Sequence, residues 1–397
     1  MDVKSAGQKV LKQLNDAGYE AYFVGGVVRD TLLGRNVYDV DITTSATPDE
    51  VMNLFDKVFA TGVQHGTVTV VMDFQNIEVT TFRLDGEYLN NRYPKDVIFS
   101  QSLTEDLARR DFTINAMARG LDGTIIDPFN GQDDLEARII RAVGDPKKRF
   151  EEDALRILRG MRFVAKLGFD IEENTLEAMK GCCHLLANLS LERIRKEIEG
   201  IIEGEYRRKA LEALAETVFL VNIPHFPDLF CFRTEEYEVL DEFDLFLLIV
   251  EEEREGREAF WADYPLTKRE KKMIKDVKKL ADINMGRTIT DIHRLGQYYF
   301  GEHTTNIFCK YMDFDMGRKD EDCYSPYIPI DLPIQKRADL AIQQEEVIKL
   351  SGTAPSEWVN ELFTEIEEEV ILGKIENTRE SILKLIEKRG IFDVEES

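Results

Sequence analysis

Two aspartates, Asp39 and Asp41, stand two residues apart, downstream of the apolar stretch 21–24 and the diglycine Gly25-Gly26. Residues two apart on a strand share a face, so this spacing projects both carboxylates together. Such a pair repels unless a cation sits between its members, which makes it a candidate metal site. An exposed strand edge carrying acids for solubility is the alternative. Glu78, on a neighbouring expected strand, supplies a third acid. Gly25-Gly26 lets backbone N–H groups approach an anion, and Arg29 adds charge. A tight strand-to-helix turn with a solvated arginine accounts for the same residues. Paired carboxylates beside an anion cradle are what metal-assisted phosphoryl transfer needs.

Two further clusters lie downstream. Arg109 and Arg110 precede Asp111, which either caps a helix over 112–118 or leaves the two arginines to grip a triphosphate. In the run EEDALRILRGMR (151–162), Asp153 and Arg156 are three apart and neighbours on one expected helix face. They form either a solvated ion pair or a base reader. A carboxylate accepts hydrogen bonds and a guanidinium only donates. Cytosine and adenine both offer an amino donor beside a ring-nitrogen acceptor, and guanine and uracil offer the reverse. One Asp–Arg pair can therefore accept C or A without a template. Each step of three residues rotates about 60° around a helix, which turns Arg162 away from Asp153 if the helix is straight.

These residues need a scaffold. Residues 1–20 read as an amphipathic helix, with Val3, Val10, Leu11 and Leu14 at helical spacing. Thr47-Pro48-Asp49-Glu50 is a capped helix start. Residues 66–74 and 77–83 read as a hairpin turning at Gln75-Asn76. Residues 84–100 read as a mobile loop, 105–120 as largely helical, and 146–167 as one helix. From Asp133 onward nearly everything is helical. The expected fold is α+β, a small mixed-sheet head followed by an all-helical remainder.

At 397 residues, 43% hydrophobic and 32% charged, the chain exceeds one ordinary core. Its five cysteines form no C-x-x-C pair and its histidines show no H-E-x-x-H spacing, which argues against zinc and a disulfide framework. No apolar run is long enough to span a membrane and no secretory signal is present, so a cytoplasmic protein is expected. The net charge of −25 argues against a nucleic-acid partner only until its distribution is read. Residues 232–263 hold 12 acidic against 3 basic residues, whereas 265–279 hold 7 basic against 2 acidic. The acid is segregated, and a basic RNA-binding face remains open.

Five motifs in order, GGVVRD with YDVDI (25–42), RRDFTINAMA (109–118), the segment 125–163 and LSLERIRKEI (189–198), resemble the CCA-adding tRNA nucleotidyltransferases of the bacterial and eukaryotic class, within the DNA polymerase beta-type superfamily. The strong likeness covers residues 21–200. It implies a catalytic nucleotidyltransferase head (1–137), a helical neck that recognises the base (138–203), and an elongated tRNA-binding body (204–284) and tail (285–397). It implies Mg²⁺ on Asp39 and Asp41, with CTP and ATP as substrates and the tRNA acceptor arm as partner. Gly26, Arg29 and Arg110 then contact the incoming nucleotide, Asp153 and Arg156 read its base, and Arg159 and Arg162 complete that pocket. The resemblance also implies that Arg83 and Arg92 belong to a flexible loop that helps switch specificity from C to A. Where relatives often carry an acid in that loop this chain has Asn90, so CC-only addition is one alternative, beside poly(A) polymerase and a silent RNA-binding protein. The chain is expected to be a monomer or a homodimer. With no His-Asp dipeptide, no phosphohydrolase module is expected.

Overall fold

Ala6, Val10, Leu11 and Leu14 recur at helical spacing and all are fully buried, which makes residues 3–16 a helix with one core-facing stripe. The computed structural model of the protein describes residues 2–85, 88–89, 93–94, 97–217, 219–222, 241–252, 265–316, 324 and 327–390. They fall into two compact units, Met1–Phe243 with Gly256–Pro265, and Asp244–Glu255 with Leu266–Ser397.

The first unit opens α1 (Val3–Asp16), β1 (Ala21–Val24), α2 (Gly26–Leu32), β2 (Asp41–Thr44) and α3 (Pro48–Leu54). Thr47 and Glu50 form the capping box that starts α3. β3 (Val58–Gly62), β4 (Thr67–Met72) and β5 (Gln75–Thr81) follow. Then come β6 (Arg83–Asp85), β7 (Tyr88–Leu89), β8 (Tyr93–Pro94), β9 (Val97–Phe99), α4 (Leu103–Ala108), β10 (Ala118–Arg119) and β11 (Ile125–Ile126). Seven strands make one mixed sheet in the order β11-β10-β1-β2-β5-β4-β3, parallel between β2 and β5 and antiparallel elsewhere. Alternation sorts its faces: Val40 and Ile42 are buried on the side that α1 covers, and a Cβ added at Gly7 of α1 would lie 2.7 Å from Val40. Asp41 and Thr43 take the other side.

The hairpin turns at Asp73-Phe74, both at positive φ, and not at Gln75-Asn76 as expected. This register pairs Val70 with Ile77 and Val68 with Val79, all buried, so aliphatic pairing sets the turn. The expected loop 84–100 begins and ends in a β ribbon, with Arg83, Leu84 and Asp85 opposite Phe99, Ile98 and Val97. Nor do 105–120 form a helix beyond Ala108. Phe112, Ile114, Ala116, Met117 and Ala118 are all fully buried, which leaves no polar face; Thr113–Asn115 is a 3-10 turn, and β10 joins β1.

The rest of this unit is mainly helical: α5 (Gly131–Ala137), α6 (Pro146–Glu152), α7 (Leu155–Leu167), α8 (Glu173–Cys182), α9 (Leu191–Ile202) and α10 (Arg207–Thr217). The short parallel strands β12 (Ile139–Ile140) and β13 (Asp170–Ile171) pair among them. The expected helix 146–167 is broken at Asp153, whose backbone is extended and whose Oδ1 accepts the Leu155 N–H at 3.1 Å. That local bond competes with helix continuation.

In the second unit the described elements are helices: α11 (Phe243–Glu252), α12 (Lys268–Asn284), α13 (Ile289–Phe300), α14 (Glu302–Asp315), α15 (Gln344–Ser351), α16 (Glu357–Ile371) and α17 (Arg379–Lys388). Leu295, Val347, Phe363, Ile366, Ile382 and Ile386 form its core. On α12, Met273, Ile274, Val277 and Leu280 face inward, and all its lysines together with Arg269 are exposed. Among the described residues no helix is long and apolar enough to cross a membrane.

Candidate active site

Gly25 caps α2 at φ 71°, ψ −131°, a conformation only glycine adopts without strain. A Cβ there would lie 3.3 Å from Arg110 Nη1 and 3.7 Å from Asp41 Oδ2, so the turn, the acid and the arginine meet at one point. Arg110 is seated on Asp106 of α4, at 3.3 Å, and Arg109 holds the same carboxylate at 2.8 Å. Asp106 is fully buried, and Thr43 Oγ1 donates to it at 3.2 Å. Burial pushes its carboxyl up, but Arg109 and Arg110 outweigh that and hold it below the usual carboxylate range.

Asp41 behaves oppositely. Burial and the neighbouring Glu78 push its carboxyl up to about 6, with Asp39 adding to them and Arg110 opposing. Glu78 is its register partner on β5. Asp39 is exposed and precedes β2 instead of lying on it, so the strand carries one of the two expected aspartates. A poorly compensated acid cluster suits a divalent cation, whose charge would replace the missing counter-ion. Among the described residues no three His, Cys, Asp or Glu side chains converge as a ready-made metal cage. An ion on Asp39 and Asp41 would complete its coordination from water and phosphate oxygens, as small hard cations do.

Arg29 is almost fully buried. It pairs with Asp30 at 2.8 and 2.9 Å, donates to Asn115 Oδ1 at 2.7 Å and lies over the Phe163 ring. Arg159 and Arg162 approach the same ring, so three guanidiniums surround one aromatic side chain. Arg159 forms an ion pair with buried Asp111 at 2.6 Å. Burial pushes Asp111 up, but Arg159 and the Phe112 N–H overcome it and bring the carboxyl down to about 2. Asp111 therefore caps no helix; it anchors the 3-10 turn and Arg159.

The break before α7 also removes the rotational obstacle, because Asp153 lies outside the helix that carries Arg156, Arg159 and Arg162. Arg156 is fixed by three acceptors: the Arg149 carbonyl at 3.0 Å, Glu152 at 2.9 Å and the Arg109 carbonyl at 2.8 Å. Asp153 pairs with Arg193 of α9 at 2.7 Å, a partner forty positions away in the sequence. Arg162 Nε lies 2.7 Å from Glu197 of α9, close enough for an ion pair but poorly aligned for a hydrogen bond.

Most of the expected site residues border one cleft of about 500 Å³. Its lining brings together Gly26, Arg29, Asp41, Arg83 and Arg110 with Asp153, Arg156, Arg159 and Arg162. Asp39 and Glu78 stand outside that lining, and Arg92, like Asn90, lies outside the described residues. Sequence reasoning passed over Phe163, Lys166, Asn115 and Arg193, which also line it. Asn115, Phe163 and Arg193 had a signal in their places within the motifs 109–118, 125–163 and 189–198; Lys166 had none.

A mixed sheet with a glycine turn and acids at one strand end, followed by helices that wall the same cleft, defines a nucleotidyltransferase head on a helical RNA-binding chain. Family models agree along the chain: poly A polymerase head domain over residues 21–141, the probable RNA and SrmB-binding site of polymerase A over 168–229, and tRNA nucleotidyltransferase domain 2 over 246–386. The CCA-adding enzyme of Lactobacillus helveticus is 39% identical, covering 97% of each chain, and that of a Geobacillus species is 38% identical over 96% of each. The crystal structure of the Bacillus stearothermophilus CCA-adding enzyme in complex with CTP matches with a TM-score of 0.80 and 34% identity over 97% of each chain. The chain belongs to the CCA-adding enzymes, a family of tRNA nucleotidyltransferases. Such nucleotidyltransferases generally use a divalent metal.

Proposed function

We propose that this chain adds C, C and A to the 3′ end of tRNA from CTP and ATP, releasing pyrophosphate, and that one cleft carries both the reaction and the choice of base. The observation behind this reading is that the Gly25-Gly26, Asp41 and Arg110 group and the Asp153 and Arg156 group line the same cleft. Asp39 and Asp41 hold Mg²⁺, and Glu78 adds negative charge behind Asp41. Carboxylates beside a phosphate site suit a hard, oxygen-seeking cation. When bound, the ion activates the RNA 3′-hydroxyl and neutralises charge on the α-phosphate. Gly26 leaves room for the triphosphate. Arg29 and Arg110, each seated on a buried carboxylate, present charge to it without reorganising.

Asp153 accepts from the exocyclic amino group of cytosine or adenine, and Arg156 donates to the adjacent ring nitrogen. Arg159 and Arg162 complete that pocket. Arg83, at the base of the β6–β9 ribbon, and Arg92 act in the change from C to A. Residues 1–137 are the head, 138–203 the neck, 204–284 the body and 285–397 the tail. The body and tail hold tRNA by shape and backbone, with the exposed basic face of α12 as one contact. The reaction takes place in the cytoplasm. The test is to incubate a tRNA transcript lacking its 3′ CCA with Mg²⁺, CTP and ATP and to sequence the product ends. CCA ends are expected; CC alone, an A tract or no extension would each overturn the reading.

A further inference from the structure

Asp153 sits at the break between α6 and α7, its N–H bonded to the Arg149 carbonyl and its own carbonyl accepting the Arg156 N–H. It ends α6 with φ −143° and ψ 102°, and its carboxylate shares a cleft with two competing cations, Arg156 and Arg159. Either could draw the carboxylate away from a base. Its two oxygens are instead held separately: Oδ1 accepts from the Leu155 N–H at 3.1 Å, and Oδ2 from Arg193 Nη2 at 2.7 Å. Two donors on different oxygens fix the plane of the carboxylate.

The second donor comes from a helix with a marked pattern. Arg193, Glu197 and Gly200 lie at i, i+4 and i+7 on α9, hence on one face. Arg193 meets acidic Asp153, and Glu197, itself only 4% exposed, meets basic Arg162. At Gly200 a Cβ would fall 2.5 Å from Arg162 Cδ, so the glycine admits the Arg162 stem. Packing alone requires none of this, because Ile194, Ile198, Ile201 and Ile202 already bury the helix. Buried or half-buried ion pairs add little stability over apolar contacts, and their retention calls for another reason.

We propose that Arg193 is a positioning residue for nucleotide choice: it holds Asp153 as a fixed acceptor, so that only bases with an amino donor at that point are taken. The inference rests on the role assigned above to Asp153. A guanidinium has donors only, so it can pair only with an accepting carboxylate oxygen and enforces the polarity that distinguishes cytosine from uracil. Arg193 touches no reacting atom. Its loss changes which nucleotide is accepted more than how fast the correct one reacts.

The test uses the full chain with a tRNA transcript lacking CCA, and compares single-turnover incorporation of UTP with that of CTP. In Arg193→Gln the UTP-to-CTP ratio is expected to rise roughly tenfold to a hundredfold, the scale of one charge-assisted hydrogen bond, mostly through a raised KM for CTP and not a lowered kcat. Arg193→Lys keeps the charge without the planar fork and should fall between Gln and wild type. It carries the test if the Gln variant does not fold, and a wild-type ratio there overturns the proposal. Glu197→Gln disturbs the same helix face and loosens Arg162 without touching Asp153, and its change in ratio should stay well below that of Arg193→Gln. A ratio for Arg193→Gln within about threefold of wild type, the scatter of such bonds, overturns the proposal. So does an equal rise in Glu197→Gln, which would indicate general loosening of α9. Asp153→Ala separates the two levels: if it keeps full discrimination, the base-reading role itself fails, whatever Arg193 does.

Discussion

Asp41 and Glu78 stand opposite each other across the parallel pair β2–β5, an acid facing an acid on the site side of the sheet. Burial and Glu78 hold the Asp41 carboxyl at about 6, against an ordinary 3.8. Because the folded chain holds this proton more tightly, the group's stabilising contribution is complete below about pH 3.8 and is lost as pH rises through 6. A divalent ion binds the ionised form, so its stabilisation should grow over the same interval. Thermal melts with and without millimolar Mg²⁺ are expected to differ little near pH 5 and most above about pH 7. Glu78→Gln should move that rise to lower pH. An equal Mg²⁺ effect at both ends of the range would remove Asp41 from the ion.

The two glycines of the turn should respond differently. Gly25 has φ 71°, and its Cβ position is crowded by Arg110 and Asp41; at Gly26 the side chain that a Cβ would meet is Arg29, whose Nη2 lies at an ordinary 3.6 Å. Gly25→Ala is therefore expected to cost about 1–3 kcal/mol, the range of a strained backbone position. Gly26→Ala should stay within about 0.5 kcal/mol in urea unfolding. Equal losses would mean that the turn is not under the strain its geometry indicates.

Arg156 reaches two main-chain carbonyls and Glu152 at once. A lysine ammonium is a point donor and cannot span that set. Arg156→Lys, though it keeps the charge, is expected to lower CTP incorporation by roughly tenfold or more, the value of one charged hydrogen bond. Wild-type rates in single-turnover assays would show that the fork is not needed.

Local chemistry was legible where it depended on short-range rules. The α3 capping box, the α1 stripe, the diglycine turn and the mixed sheet all follow from residue type and spacing. What failed had tertiary causes. Residues 112–118 have helical composition, yet they are buried on all sides and β1 recruits their end as a strand. The break at Asp153 comes from its own carboxylate bonding to Leu155, which periodicity does not register. Asp39 and Asp41 were read as one strand pair, but the strand begins at Asp41. Partners such as Arg193 and Glu197 are about forty residues from the side chains they meet, and only the packing of α9 on α7 brings them there.

Asp111 and Arg159 give a last prediction, on stability. Asp111 is 7% exposed and accepts from the Phe112 N–H at 2.8 Å while pairing with Arg159. Burial works against its ionised form, but the arginine and the N–H outweigh it and bring the carboxyl down to about 2. A depressed folded value stabilises the protein above the unfolded pKa, and this contribution is lost as pH falls from about 3.8 towards 2. Asp111→Asn keeps an acceptor but takes its closest counter-charge from Arg159, whose side chain is 34% exposed, which at neutral pH is expected to cost about 1–3 kcal/mol. Urea unfolding at neutral pH should show that gap, and it should narrow steadily between about pH 4 and pH 2, where wild type loses the same ion pair by protonation. A gap that is constant with pH would mean that Asp111 acts through its hydrogen bond to the turn and not through its charge.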